Sequence, residues 1–423
     1  MKLIIKNGHV IDPSRGVDEV ADLLVENGLI SDQLKAGSTA DADVFDASGL
    51  VVSPGFIDLH VHLREPGEEY KETIASGAKA AAAGGFTSIC AMPNTHPVND
   101  NASVTRYIIE KARDAGSARV YPVGAITRES KGAELAEMAE MKAAGAVAVS
   151  DDGRPVTNSQ VMRHAMEYAR DHNLVVVDHC ECLDLSARGV MNEGRISTLL
   201  GLKGISSTAE ESHVARDIML AELTGARVHI AHISTRGSVA LVRAAKAQNI
   251  PVTCEVTPHH LALTEEAVVG FDTNTKMNPP LRSDEDRAAL IEAARDGTID
   301  AIATDHAPHH SDEKMLEYDR APFGVTGLET ALGVVLTKLH YEHGIPLTRL
   351  IGLLTCGPAR AFSLPGGTLA PGTPADITIF DPSREWIVDP QRFQSRSRNT
   401  PFTAWKLRGT VSATFVGGRK VFP

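Results

Sequence analysis

Between about residues 53 and 364 the chain alternates short apolar runs of strand length with longer stretches of helical periodicity. Eight runs can be followed, ending near His60, Ala91, Val123, Ser150, Val177, Ile233, Glu255 and Thr304. Helical stretches fall between them at 71–83, 102–115, 131–144, 159–171, 209–224, 238–248 and 284–296, and 326–343 follows the eighth run. Eight strand–helix units in tandem are what a (β/α)8 TIM barrel requires. A doubly wound open sheet is the competing fold, but no glycine-rich dinucleotide or phosphate-loop signature follows any strand.

The two ends of the chain have a different rhythm. Residues 1–52 read as the short strands LIIKNGHVID, DLLVENGLI and DVFDASGLVV, with Asn-Gly turn signals at 7–8 and 27–28. Near the C-terminus, ADITIFD and TAWKLRGTVSATFVGGRKVF alternate apolar and polar residues around glycine turns. Isolated two- or three-stranded ribbons are marginal. The ends are therefore expected to pair into one small β-sandwich domain, 1–52 plus 365–423, leaving 53–364 as the barrel.

Composition narrows the setting. An apolar fraction of 43% and a charged fraction of 23% are ordinary for a globular protein, and no apolar run is long enough to span a bilayer. No membrane partner is expected. The N-terminus lacks the pattern of a secretory signal, and five cysteines, few and odd in number, argue against a disulfide framework. Both point to the cytoplasm. A net charge of −12 weighs against nucleic acid as a partner.

The unusual polar residues share one class of position. His60 and His62 close the first strand, Asn94 follows the second, Asp151 and Asp152 the fourth, His179 the fifth, His232 the sixth, His259 and His260 the seventh, and Asp305 the eighth. In a barrel these C-terminal strand ends converge on the face where active sites are built. His60 and His62 are two residues apart, so in an extended strand both imidazoles face one way. A two-metal hydrolytic centre needs about four imidazole nitrogens plus carboxylates, one of them bridging. His60, His62, His179, His232, Asp152 and Asp305 meet that count. Such a pair of ions lowers the pKa of a shared water and polarises a carbonyl, and zinc suits this donor set best. His259 and His260 exceed the count and read as structural. Asp151 and Asp152 point to opposite faces of an extended strand, and periodicity does not choose between them.

The motifs GFIDLHVHLREPG, MPNTHPV, SDDG, DHCE, HIST, KMNPPLR, TDHAPH and APFGVTGLET, in that order, resemble the amidohydrolase superfamily and, within it, the bacterial class I dihydroorotases. The resemblance covers nearly the whole chain. It implies two zinc ions per subunit, one held by His60, His62 and Asp152 and the other by Asp152, His179 and His232, with Asp305 a ligand of the first and the general acid/base. It also implies that Arg64, Asn94 and His309 grip a substrate carboxylate beside His62, and that Asn278, Phe323 and Gly324 contact a pyrimidine ring. A guanidinium beside the metals fits that substrate, because it binds carboxylate bidentately. The activity implied is the reversible cyclisation of N-carbamoyl-L-aspartate to dihydroorotate, with a bridging hydroxide as nucleophile in the hydrolytic direction. Many superfamily members bridge their metals with a carboxylated lysine at the end of the fourth strand. GAVAVSDDG contains no lysine, which argues against a hydantoinase or allantoinase.

Two alternatives stay open: another cyclic amidohydrolase, or a non-catalytic structural subunit of an aspartate transcarbamoylase complex. A homodimer, and a complex with that transcarbamoylase, are further expectations. Cys180, next to His179, is close enough in sequence to offer a thiol to the metals, against the reading of a buried small hydrophobe. Residues 306–323 read as a long polar loop that acts as a lid and delivers His309.

Overall fold

The computed structural model describes residues 2–31 and 42–423; Met1 and residues 32–41, which fall inside the terminal domain expected above, lie outside the described residues. Eight parallel strands follow one another around the main body: β1 Phe56–Val61, β2 Phe86–Ala91, β3 Arg119–Gly124, β4 Ala148–Ser150, β5 Val175–Asp178, β6 Val228–Ile230, β7 Val252–Val256 and β8 Ala301–Ile302. Each pairs with the next in sequence. The ring closes past the end of β8, where Val61 bridges His306 and the His62 amide donates to the His306 carbonyl at 2.8 Å. β1 and β2 are buried along their whole length, as strands covered on both faces must be. The result is a nearly closed TIM barrel.

Helices α1 Ile74–Ala83, α2 Ala102–Ala115, α3 Met138–Ala144, α4 Ser159–Asp171, α5 Ser207–Thr224, α6 Arg236–Ala247, α7 Asp284–Asp296 and α8 Ala331–Val335 follow the strands in turn. Their starts are set by side chains that accept orphan amides: Thr73, Asn101, Asn158, Ser206, Thr235 and Ser283. Two helices start five or more residues later than their periodicity predicts. The stretch expected from 131 becomes helical only at Met138, because Gly132 sits at φ 70° and its amide is held by the Thr127 hydroxyl. The stretch expected from 326 starts at Ala331, because Thr326 and Gly327 spend their amides on the Asn399 carbonyl and on His306 Nδ1. From Leu336 to Glu342 it continues as a π-helix.

Inside the barrel, Ile57, Leu59, Val123, Val175, Val177 and Ala301 pack on Ala359, Phe362 and Leu364, so the helix Cys356–Phe362 plugs the end away from the C-terminal ends of the strands. Above this plug the alternation of β1 is reset. The ladder with β2 shifts register between Asp58 and Val61, so that Leu59 completes the apolar plug while His60 and His62 both turn into the polar layer above it. Asp58 caps the irregularity, accepting from the His60 amide (3.1 Å), the Thr304 amide (3.0 Å) and the Thr304 hydroxyl (2.6 Å).

The N- and C-terminal strands form one eight-stranded, mainly antiparallel sheet. Its middle strand, Val51–Pro54, pairs in parallel with Lys2–Asp12 on one side and antiparallel with Ile377–Ile387 on the other, then runs directly into β1. The sheet curls: Ile30 donates to the Thr373 carbonyl and Ala375 to that of Gly28, which carries the far edge back to the strand Ile377–Ile387. Leu3, Ile5, Val10, Val25, Val52, Ile377, Ile379 and Phe415 fill the space enclosed. Phe56 packs edge-on against Phe86, and against Phe380 from the terminal sheet.

Candidate metal centre and active site

His60, His62, Asp152, His179, His232 and Asp305 come together on the C-terminal face of the barrel, all of them buried. Asp152 lies at the middle. Its Oδ1 is 3.3 Å from His60 Nε2, 3.6 Å from His232 Nε2 and 3.8 Å from His179 Nδ1, and its Oδ2 is 3.5 Å from His62 Nε2. Asp305 Oδ1 is 3.0 Å from His62 Nε2 and 3.6 Å from His60 Nε2. On the far side His179 Nδ1 and His232 Nε2 are 3.1 Å apart. Asp151, the neighbour that periodicity could not separate from Asp152, turns the other way and accepts from the amides of Ile126 and Thr127 and from the Thr127 hydroxyl.

Three of the four imidazoles, those of His60, His62 and His179, are held from behind, which fixes the nitrogen each presents. His60 Nδ1 meets Glu255 Oε1 at 2.9 Å, and the other oxygen of Glu255 meets His229 Nε2 at 3.1 Å. His62 Nδ1 meets Asn94 Oδ1 at 2.9 Å. His179 Nε2 meets Glu181 Oε2 at 3.0 Å, and Asn278 Nδ2 donates to that same oxygen at 2.9 Å. Ring nitrogens that donate outward leave lone pairs facing Asp152 and Asp305. Periodicity and spacing assign no role to Glu255, Glu181 or Asp58. A glutamate at the end of β7 is visible in the sequence, but its partner lies 195 residues away.

Two observations fit a cation at the middle of this group. His60 Nε2 and Asp152 Oδ1 are buried with no hydrogen-bond partner, a costly arrangement for polar atoms that a coordinated ion relieves. Candidate ligand atoms also fall within 4.8 Å of one another in the sets His60, His62, Asp305 and His60, Asp152, His232. The electrostatics agree. Burial opposes charge on His60 and His179, yet Asp152 and Glu255 hold His60 well above the ordinary histidine range, and Glu181 and Asp152 raise His179 to about 9. Burial likewise pushes Asp152 and Asp305 up, but the imidazoles win and hold both below the usual carboxylate range. The carboxylates demand positive charge, and metal ions compete with protons for the same lone pairs.

Backbone strain gathers at the same place. Arg64 (φ 62°), His232 (φ 29°) and Asp305 (φ 48°) all occupy the left-handed region. Arg64 is buried at the rim; its Nε donates to the Pro308 carbonyl at 3.1 Å and its Nη2 lies 3.4 Å from His309 Nε2. His309 Nε2 is 2.8 Å from the Phe323 carbonyl. Gly324, at φ 124°, leaves no room for a side chain: a Cβ would lie 2.7 Å from that of Ala307 and 3.1 Å from His309 Nε2. Arg64, His309, Phe323 and Gly324 thus form one contiguous wall. Asn94 and Asn278 join the site through His62 and Glu181.

His259 and His260 are buried beside the site; His260 bonds the Thr257 hydroxyl (2.8 Å) and the Pro279 carbonyl (3.0 Å). Cys180 does not turn toward the imidazoles: its thiol lies 3.5 Å from Asp217 on α5, because adjacent residues of an extended segment face opposite ways. That side holds another group of candidate ligands, Asp178, His213 and Asp217, but Arg216 already supplies its cation, with Nη2 3.2 Å from Asp178 and 2.7 Å from Asp217.

Residues 49–238 match the family described as dihydro-orotase-like. The chain is 56% identical over 419 residues to the dihydroorotase of Syntrophotalea carbinolica, covering 99% of this chain and 98% of that protein. To the dihydroorotase of Geobacter metallireducens it is 55% identical over 423 residues, covering 100% of both. With that of Pelotomaculum thermopropionicum the identity is 57% over 421 residues, covering 100% of this chain and 98% of the relative. Among solved structures, the L-hydantoinase (dihydropyrimidinase) from Arthrobacter aurescens superposes with a TM-score of 0.87 at 25% identity, across 99% of this chain and 95% of that one. The dihydropyrimidinase from Brevibacillus agri gives 0.83 at 22% identity over the same shares and has the same fold.

Proposed function

Because the chain belongs to the dihydroorotase family of cyclic amide hydrolases, we propose that it interconverts N-carbamoyl-L-aspartate and (S)-dihydroorotate, with loss or uptake of water, in pyrimidine biosynthesis. The observation that carries this reading is the placing of Asp152 between His60 and His62 on one side and His179 and His232 on the other, with Asp305 and Arg64 at the rim. His60, His62 and Asp305 would hold one zinc ion and His179 and His232 the other, with Asp152 shared. Two such ions supply a water of lowered pKa and a Lewis acid for the amide carbonyl.

The side chains do the rest. Glu255, Asn94 and Glu181 keep His60, His62 and His179 in the tautomers that face inward. Asp305, ionised because His62 and His60 outweigh its burial, is ready to accept a proton at its carboxylate. In hydrolysis it takes the proton of the attacking water and delivers it to the departing ring nitrogen; in cyclisation it accepts the ureido proton. Arg64, Asn94 and His309 clamp the substrate carboxylate, and Asn278, Phe323 and Gly324 border the ring. Asn94 has its oxygen engaged by His62, which leaves its amide NH2 for the carboxylate. Burial and the neighbouring Arg64 draw His309 down to about 2, so the ring is neutral across the working range and its single N–H must leave the Phe323 carbonyl to reach the substrate carboxylate. Catalysis on this reading belongs to 53–364 and support to 1–52 with 365–423. A homodimer, and association with an aspartate transcarbamoylase, belong to the same reading and are checked by sedimentation with and without that partner.

The test is an assay in both directions on purified protein as isolated, after chelation, and after return of zinc, with hydantoin and allantoin as competing substrates. Expected are turnover of dihydroorotate alone, its loss on chelation and its recovery with zinc. Absence of dihydroorotate turnover in the zinc-restored protein, alone and with a transcarbamoylase, would refute the reading.

A further inference from the structure

The wall that carries Phe323 and Gly324 is fastened in an unusual way. Lys276 and Lys314 are both buried, and every hydrogen bond their ammonium groups make goes to a main-chain carbonyl of this one segment. Lys276 Nζ donates to Ala321 at 2.6 Å and to Asp319 at 3.1 Å, and lies 4.7 Å from the centre of the Phe323 ring. Lys314 Nζ donates to Pro322 and to Gly324, each at 2.9 Å. With His309 at the Phe323 carbonyl and Asn399 Nδ2 at that of Gly324 (3.1 Å), every carbonyl from 321 to 324 is met by a buried side chain. The lysines are tied in turn: the Gly324 amide donates to the Lys276 carbonyl at 2.9 Å, and the Thr273 hydroxyl to that of Lys314. Among the described residues neither ammonium is paired with a carboxylate. Burying two unpaired cations is expensive, and hydrogen bonds to charged donors are the strong kind. Burial accordingly draws Lys276 down to about 8 and Lys314 down to about 7.

We propose that Lys276 and Lys314 are positioning residues that hold the carbonyls of Ala321, Pro322 and Gly324, fixing the Phe323–Gly324 wall and His309 where the substrate ring and carboxylate are received. The substrate half of this inference rests on the dihydroorotase reading; the latch itself rests on the contacts alone.

The test uses the zinc-loaded full-length protein and the variants Lys276→Met, Lys314→Met and the corresponding Lys→Arg. Methionine keeps the length of the side chain and removes the donors. Each Met variant should raise KM for dihydroorotate at least tenfold while kcat changes less than threefold, with amide exchange at 319–324 accelerated tenfold or more and exchange in β1–β8 unchanged. Arginine, which restores donors, should recover part of the KM. Accelerated exchange with an unchanged KM overturns the positioning role. Unchanged exchange at 319–324 overturns the latch. A Met variant that loosens the barrel strands as well assigns these lysines to general stability and also overturns the proposal. If the wild-type protein turns over no dihydroorotate, the function reading fails, and the exchange measurement alone then decides the latch.

Discussion

Glu255 shows how a residue remote from the reacting atoms shapes the site. It grips His60 and His229 with its two oxygens at 2.9 and 3.1 Å, and although burial raises its pKa, the two imidazoles bring it down to about 2. Its folded value lies below the 4.5 of a free glutamate. Its stabilising contribution is therefore complete above about pH 4.5 and is lost as the pH falls toward 2. Glu255→Gln should blunt that acid limb in unfolding titrations of metal-free protein, and should weaken zinc retention on the order of 10–100-fold, read by metal content after dialysis against a competing chelator. Asp305→Asn is the complementary change. It should lower kcat by about 10²–10⁴ while KM moves little, as measured by steady-state kinetics in both directions. At this scale the sequence announces donors better than partners. The HxH spacing of His60 and His62 was legible from one strand, whereas Asp58, Glu181 and Glu255 resemble any carboxylate near a strand end until distant segments meet them. The choice of Asp152 over Asp151 likewise depends on where the Thr127 backbone lies.

Elements carry these residues into register, and their interiors were easier to read than their joints. All eight barrel strands were visible as apolar runs because most of their residues are buried, and α2, α4 and α7 follow their periodicity from end to end. What periodicity missed is local backbone chemistry: a glycine at φ 70° that delays α3, and the register shift in β1 that allows Leu59 and His60 to serve different layers. The same sensitivity makes Gly324 a useful probe. An alanine there meets Ala307 and His309 and must adopt φ 124°. Strain of about 1–3 kcal/mol is expected. Part of it should appear as a KM raised about tenfold and part as a lowered Tm, measured by kinetics and calorimetry. A change at the start of α7, away from the wall, makes the contrast. Ser283→Ala removes the cap of α7 and should cost about 1 kcal/mol in denaturant titrations with kcat unaltered.

At the scale of the molecule, barrel and C-terminal segment share apolar packing as well as specific polar contacts. Arg119, at the start of β3, meets Asp376 through Nε at 2.8 Å and Nη2 at 3.1 Å, and the Gly417 amide donates to the same carboxylate. Arg119 is partly exposed, so screening limits the pair to about 1 kcal/mol. Arg119→Met should lower the Tm slightly and leave both kinetic constants unchanged. The pairing of the two chain ends was legible as complementary strand patterns; which strand lies between them was not, since nothing in VVSP marks it as central. That strand, Val51–Pro54, has its neighbours at the two extremes of the sequence and passes within two residues into the strand bearing His60 and His62. During synthesis it leaves the ribosome early with one edge matched by Lys2–Asp12, and the other stays open until residues 377–380 have emerged. An open apolar edge is an invitation to pair with another chain. A ribosome stalled before residue 377 therefore displays a nascent barrel whose lead-in strand, Val51–Pro54, keeps one edge unpaired, and such chains should be the ones that chaperones hold longest.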